Sequence, residues 1–298
     1  MNGEIEEFYL YLKNEKKMSP NSFASYKRDL QKFLCYAEKE KLAVETFEKR
    51  EIEKFVAYMK KSNFSEASTA RMICTLRSFF GFLENRGFVL KNPMTEIHTS
   101  KPKKCLPIVL NGTEIEMISR ALEGGQEKRC RDRAIFEILY AGGLKASELI
   151  DLRMENVNTD IGFISCGEGS EQRLIPIYSY ASKCIGEYIE KARPKLLGNG
   201  VSDLLFLNCD GKKLTRQGLW KIIKNLKKLA DIKKDITPHT FRHTFAADLL
   251  ASGAKLSDVK ERLGNTDVSS TAVYEEVNRL RIKEKFNMKH PKVQLRYY

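Results

Sequence analysis

The chain has 298 residues, enough for two domains that bury a sizeable core without disulfides or metals. Its 52 Lys+Arg against 39 Asp+Glu leave a net charge of +13, which excludes an ordinary acidic enzyme and points to a polyanion, nucleic acid or an anionic membrane surface. At 42% hydrophobic and 10% aromatic residues it is too apolar for wholesale disorder.

No apolar run reaches the roughly 18 residues a spanning helix needs. The acidic, amphipathic start MNGEIEEFYLYLKNEKK is neither a signal peptide nor a basic targeting arm. The seven cysteines are scattered without a C-x-x-C pair, and the four histidines lack ligand spacing. That pattern predicts reduced thiols in a cytoplasm, no disulfide framework, and neither metal nor other cofactor.

Residues 1–98 read as a helical bundle. Ile5, Phe8, Tyr9 and Leu12 mark one face of a first helix. Ser19-Pro20 is a cap followed by a first-turn proline, and Phe23, Tyr26, Leu30, Phe33, Leu34 and Ala37 then recur at helical spacing. Ile52, Phe55, Val56 and Met59 give a third stripe. A fourth helix runs from about Ser65 to Asn85, with Ile73, Leu76, Phe80 and Leu83 inward, Arg71 and Arg77 off that face, and a stop at Gly87. Residues 99–107, with Pro102, Pro107, Lys101, Lys103 and Lys104, have no periodicity and read as a basic linker suited to tracking phosphates or to simple solvation.

Residues 108–298 predict a mainly helical second domain with one small sheet. Thr113-x-x-Glu116 reads as a capping box opening a helix through Leu122. A helix at about 130–141 ends at Gly142-Gly143, and a short one starts near Ala146. The runs 161–166 and 172–177 flank Gly167-Glu168-Gly169-Ser170-Glu171 as a hairpin. Helices resume at about 179–192, 215–230, 238–252, 257–263 and 269–286. Residues 1–100 carry a net of only +3, so most of the excess lies beyond them. Ten Lys/Arg fall between Gly211 and Arg242, a stripe able to neutralise several phosphates, although a solvated lysine-rich face has the same composition. Trp220 and Leu226 within it are expected in the core.

Thr237-Pro238-His239-Thr240-Phe241-Arg242-His243 is the most informative stretch. Thr237 caps a helix that Pro238 opens, which sets His239 and Arg242 three apart on one face at a helix N-terminus. Free backbone N–H groups and the macrodipole attract anions there, and an imidazole with a guanidinium can clamp a phosphate. About twenty residues on, Leu263-Gly264-Asn265 ends one helix, and after a turn another begins that carries Tyr274.

H-x-x-R followed by L-G-x-x-D-x-x-S-T-x-x-Y resembles the C-terminal signature of the tyrosine site-specific recombinases, the phage-integrase and Xer-type family. The resemblance also takes in the N-terminal bundle, the basic linker, A-G-G-L-K-A-S-E-L at 141–149 and Arg173-Leu-Ile-Pro176 on the hairpin. It implies a mainly α (α+β) fold, with a SAM-like helical core-binding domain before a recombinase catalytic-type domain. It also implies metal-free chemistry in which a tyrosine attacks the scissile phosphate to give a 3′-phosphotyrosyl link. Tyr274 matches the nucleophile, Arg242 the second arginine and His239 the histidine three residues before it.

Three positions depart from the family pattern. Lys145 stands where G-L-R has its arginine and keeps the charge without the bidentate fork. Glu168 stands in place of the hairpin lysine, so the general acid is lost. A like charge then faces the phosphate, repulsive by several kcal/mol at an effective dielectric of about 20 and roughly 4 Å. Asn265 replaces the histidine of L-G-H and can still hydrogen-bond. One lost donor typically costs about 10²–10³ in rate, and the three together predict a defect on the order of 10⁴.

Two functions follow from the resemblance: a DNA-binding recombinase relative that cleaves feebly or not at all, or an active recombinase with an altered site working through Tyr274. Either way the expected partners are double-stranded DNA and a second copy or related recombinase subunit, with no membrane, in a nucleoid-associated cytoplasmic setting. The family's DNA contacts carry over to Arg71 and Arg77 in the bundle, Lys103 and Lys104 in the linker, and Arg216 and Gln217 after Thr215, side chains able to read base edges. In the family the last helix docks on a neighbouring protomer, and 286–298, with Leu295, Tyr297 and Tyr298, is apolar enough to do so.

Overall fold

A computed structural model describes residues 2–97, 106–167, 172–265, 271 and 273–289. The chain forms two compact units, residues 1–104 and 105–298.

The first unit is built from α1 (Asn2–Asn14), α2 (Pro20–Lys39), α3 (Lys49–Lys61) and α4 (Glu66–Asn85). The Ser19 hydroxyl accepts the Ser22 N–H ahead of α2, and the Ser65 hydroxyl accepts the Ser68 N–H ahead of α4, each satisfying a donor the helix leaves free. The apolar stripes meet in an aromatic core. Phe33 lies edge-on to Phe47, Phe55 and Phe80, with ring centroids 5.0, 5.2 and 5.9 Å apart. Such geometry adds about 0.5–1.5 kcal/mol per pair beyond area burial.

The second unit runs α5 (Gly112–Ala121), α6 (Glu127–Gly142), α7 (Ala146–Asp151), strands β1 (Val157–Asn158), β2 (Phe163–Cys166) and β3 (Arg173–Pro176), then α8 (Ser179–Glu187). A π-helical turn (Tyr188–Ala192) leads into α9 (Arg193–Leu197), followed by α10 (Arg216–Leu229), α11 (Pro238–Ala251), α12 (Leu256–Leu263) and α13 (Val273–Lys289). α6 is the central helix, with Ala134, Ile135, Phe136, Ile138 and Leu139 all buried. The sheet is an antiparallel meander in which Phe163 pairs with Pro176 and Cys166 with Arg173. Period-two alternation turns Ile164 and Ile175 into the core and leaves Leu174 exposed. No helix among the described residues is long and apolar enough to cross a membrane.

The structure corrects three local expectations. The box at the start of α5 is Asn111 with Glu114, not Thr113 with Glu116. Asn111 Oδ1 accepts the Glu114 N–H and Glu114 Oε2 accepts the Asn111 N–H, both at 2.8 Å, while Glu116 pairs with Arg120 a turn later. Trp220 is 43% exposed, with the Lys224 ammonium 5.4 Å from its ring centre. The inward stripe of α10 is Leu219, Ile222, Ile223 and Leu226, so Trp220 falls about 100° off it, whereas Leu226 is buried as expected. The helix expected over 179–192 is two pieces, α8 and the π turn, and the helical run continues past 192 into α9, with Pro194 in its first turn.

Candidate active site

The site is assembled around the start of α11. Thr237 is its cap, its hydroxyl accepting the Thr240 N–H at 3.3 Å, and Pro238 takes the first turn. Arg242 lies one turn in and is buried. Its Nη1 donates to the Gly143 carbonyl at 2.7 Å, and its Nη2 donates to the Leu263 carbonyl at 2.5 Å and to Asn265 Oδ1 at 2.9 Å. Both carbonyls belong to helix ends that a left-handed glycine closes: Gly143 itself (φ 57°) after α6, and Gly264 (φ 60°) after α12. At Gly143 a Cβ would meet Phe245 at 2.5 Å, so only glycine lets α11 approach this closely. Arg242 therefore ties three segments together, using three of its five N–H donors on protein acceptors. Burial lowers its pKa, and a guanidinium nevertheless stays charged. His239, expected to share a clamp with Arg242, is exposed, and the ring nearest to it is His243, 6.3 Å between centroids.

Tyr274 lies in the first turn of α13 and is 3% exposed. Its hydroxyl lies 2.8 Å from Nδ1 of His243. Burial pushes the Tyr274 hydroxyl above the ordinary phenol value despite the nearby Arg242 charge. His243 is lowered to about 4, by burial first and then by the charges of His239 and Arg242. Two turns along α13, Arg281 donates to Asp248 Oδ1 and to the Leu110 carbonyl, both at 2.6 Å, which fixes the helix that carries the tyrosine.

Beside this core lies a cleft of about 1040 Å³. Lys145 sits at the N-cap of α7, and its backbone N–H donates to Glu148 Oε2 at 2.7 Å. Arg173 Nη2 donates to the same oxygen at 2.8 Å, and its Nε donates to the Arg262 carbonyl at 3.0 Å, packing the guanidinium against Gly264. The Lys145 ammonium is 3.9 Å from the other Glu148 oxygen. One carboxylate thus engages both cations that face the cleft from α7 and β3. Among the described residues, the charged side chains lining the cleft are Lys145, Arg173 and Arg262 against Glu148, Asp258 and Glu261, an even balance. Glu168 lies outside the described residues, following Gly167 at the cleft wall.

Of the family's six positions, Arg242, Asn265 and Tyr274 converge, Lys145 stands at the adjoining cleft, and His239 faces outward. The sequence gives no evident role to His243 or Glu148 and shows Arg173 only as part of the hairpin. Their signals were present: His243 directly follows Arg242, Glu148 lies in the quoted S-E-L, and Arg173 begins the second hairpin strand.

The expected DNA contacts differ in availability. Arg71 grips the buried Asp29 carboxylate with two bonds, 2.7 and 2.9 Å, and that pairing raises its pKa. Arg77 donates to the Ile97 carbonyl at 2.9 Å. Arg216 and Gln217 are exposed on the first turn of α10, after the Thr215 cap. Lys103 and Lys104 lie outside the described residues, as do residues 290–298 of the expected docking segment.

Residues 109–281 match the phage integrase family, and residues 5–87 match the phage integrase N-terminal SAM-like domain. The chain belongs to the phage integrase family of tyrosine recombinases. It is 40% identical over 296 residues to the tyrosine recombinase XerD of Listeria innocua, covering 98% of this chain and 100% of that one. Against the tyrosine recombinase XerD of Staphylococcus aureus it is 37% identical over 290 residues, 97% and 98% of the two chains. Among solved structures, XerH site-specific recombinase bound to palindromic difH substrate aligns with a TM-score of 0.76 at 20% identity, over 91% of this chain and 80% of that one. A lambda integrase dimer bound to a core site aligns at 0.69 and 15% identity, over 92% and 94%. The recombinase fold is therefore that of a SAM-like helical domain and a catalytic-type domain with a small sheet.

Proposed function

We propose that this tyrosine recombinase binds duplex DNA but has lost most of its capacity to cleave it. The observation that carries the reading is the even charge of the cleft. A site that stabilises a phosphodiester in its transition state needs surplus, preorganised donors. Here Glu148 takes up Lys145 and Arg173, Asp258 and Glu261 offset Arg262, and the sequence adds Glu168 where the family has its acid. A lysine at 145 offers a point charge and no fork, so it does not restore the lost arginine geometry. DNA binding draws instead on the Lys/Arg-rich stretch 211–242 and on the exposed Arg216 and Gln217. The protein then acts as an architectural or regulatory subunit in a nucleoid-associated cytoplasmic setting, alone as a dimer or beside a competent recombinase.

A second reading, an active recombinase using Tyr274, is favoured by the His243–Tyr274 hydrogen bond, which leaves the nucleophile in place. The two separate by experiment. Duplexes selected by the protein from a random pool are bound with a steep salt dependence, log Kd rising with log salt in proportion to the phosphates engaged. The same duplexes, nicked beside the site to trap a covalent product, give no adduct on a denaturing gel. An adduct with the wild-type chain that Tyr274→Phe abolishes overturns the silent-subunit reading. Salt-independent binding overturns the DNA-binding one.

A further inference from the structure

We infer that His243, the residue after the family's second arginine, is the group that accepts the Tyr274 proton, in place of the exposed His239. This rests on Tyr274 being the nucleophile, and not on the cleft being weak. The geometry is direct: Nδ1 of His243 is 2.8 Å from the Tyr274 hydroxyl, with the rings 5.6 Å apart and tilted 49°. Both side chains are packed between α11 and α13. His239 stands a helical turn away, and its nearest ring partner is His243 and not the tyrosine.

A buried phenol whose pKa burial raises is a poor nucleophile unless a base takes its proton as the new bond forms. Lowered to about 4, the His243 ring is neutral at neutral pH and has a lone pair to offer. The charged and titratable groups acting on it are His239 and Arg242 from α11 and Tyr274 from α13. A phosphodiester arriving near Arg242 offsets that positive charge and makes the imidazole more basic when the proton must move. In the step, Tyr274 Oη bonds to phosphorus and the bond from phosphorus to the 5′ oxygen breaks. The phenol proton passes to His243 Nδ1, and the 5′ oxygen takes a proton from water. The role requires the tautomer with its proton on Nε2.

That requirement makes the inference testable without cleavage. In the full-length protein with ¹⁵N-labelled histidine, long-range proton–nitrogen spectra report which ring nitrogen is protonated, and loss of a signal in His243→Gln assigns it. The expected result is an unprotonated Nδ1 on His243 whose resonance shifts in the near-isosteric Tyr274→Phe. A protonated Nδ1, or one indifferent to Tyr274→Phe, overturns the inference. In a chain carrying Lys145→Arg, Glu168→Lys and Asn265→His, adding His243→Gln is expected to slow adduct formation about 10²-fold or more and to make the rate climb with pH. Equal rates and equal pH profiles overturn it. If that triply substituted chain forms no adduct, rescue of the cleft has failed, and the histidine spectrum decides the role of His243 on its own.

Discussion

The buried half of the site and its exposed cleft differ in how they hold their cations. Arg242 is walled in, bonded to two helix-end carbonyls and to Asn265, and cannot be exchanged without leaving those acceptors unpaired. Lys145 stands half-exposed at a solvent-facing cleft, where a change of side chain disturbs little packing, whereas Arg173 beside it is mostly buried and held by Glu148 and the Arg262 carbonyl. The resemblance finds its pattern at Arg242 and Tyr274 and departures at Lys145, Glu168 and Asn265, the last of which bonds Arg242 and also lines the cleft. An arginine that closes two helix ends has a structural reason to stay whether or not DNA is cut, so its presence alone says little about turnover. Lys145 carries no such structural duty, so the reading proposed above turns on it and on the substitution at Glu168.

The sharpest way to break this contrast is Arg242→Met. It is expected to cost the second unit about 3 kcal/mol or more, because two buried carbonyls lose charge-assisted partners. Urea unfolding followed by the fluorescence of Trp220, the single tryptophan, measures it. Lys145→Met is expected to change the same transition by less than about 0.5 kcal/mol. Equal losses would erase the distinction.

Acid probes the buried half through His243. Its pKa is lowered from 6.5 to about 4 in the folded chain, so between those values the unfolded chain holds a proton that the native one lacks. Stability therefore falls as pH drops through that window, by about 2 kcal/mol after allowing for partial solvent access, and is fully present above it. His243→Gln is expected to flatten the dependence of the Trp220 transition on pH.

The first unit offers a control arginine. Arg71→Ala strands the buried Asp29 carboxylate and is expected to destabilise the helical bundle by about 1.5 kcal/mol, since half of Arg71 is already solvated. Helical circular dichroism reports the loss. The smallest effect belongs to α10. Arg216→Ala is expected to lower the slope of log Kd against log salt by about 1 if it meets a phosphate, or to relax preference at one base pair if it reads a base edge.

Much of this architecture was legible in the sequence because caps and stripes are local. Ser19-Pro20, Ser65 and Thr237-Pro238 each open a helix where their chemistry says they should. The misreadings arose where two local signals competed. Thr113 and Glu116 imitate a capping box, and Asn111 with Glu114 two residues earlier is the one that forms. Trp220, expected in the core with Leu226, lies off the inward stripe of α10. At the site, the motif singled out Arg242 and Tyr274, and the structure brings the tyrosine within reach of the arginine's charge. The motif did not reveal that His243 faces Tyr274 while His239 faces outward, because that depends on how α13 crosses α11. Nor did spacing show that Glu148 collects Lys145 and Arg173, a pairing across 25 residues.

The central claim is that the cleft, and not the buried half, limits cleavage. It is tested most directly by comparing wild type with the Lys145→Arg, Glu168→Lys chain, which leaves the Arg242–Asn265 bond untouched, on nicked duplex and scoring a covalent, Tyr274-dependent adduct. The account predicts adduct from wild type at or below the detection limit, and from the substituted chain a level on the order of 10² above that limit or more. Efficient adduct formation by wild type, with no gain on substitution, would contradict it.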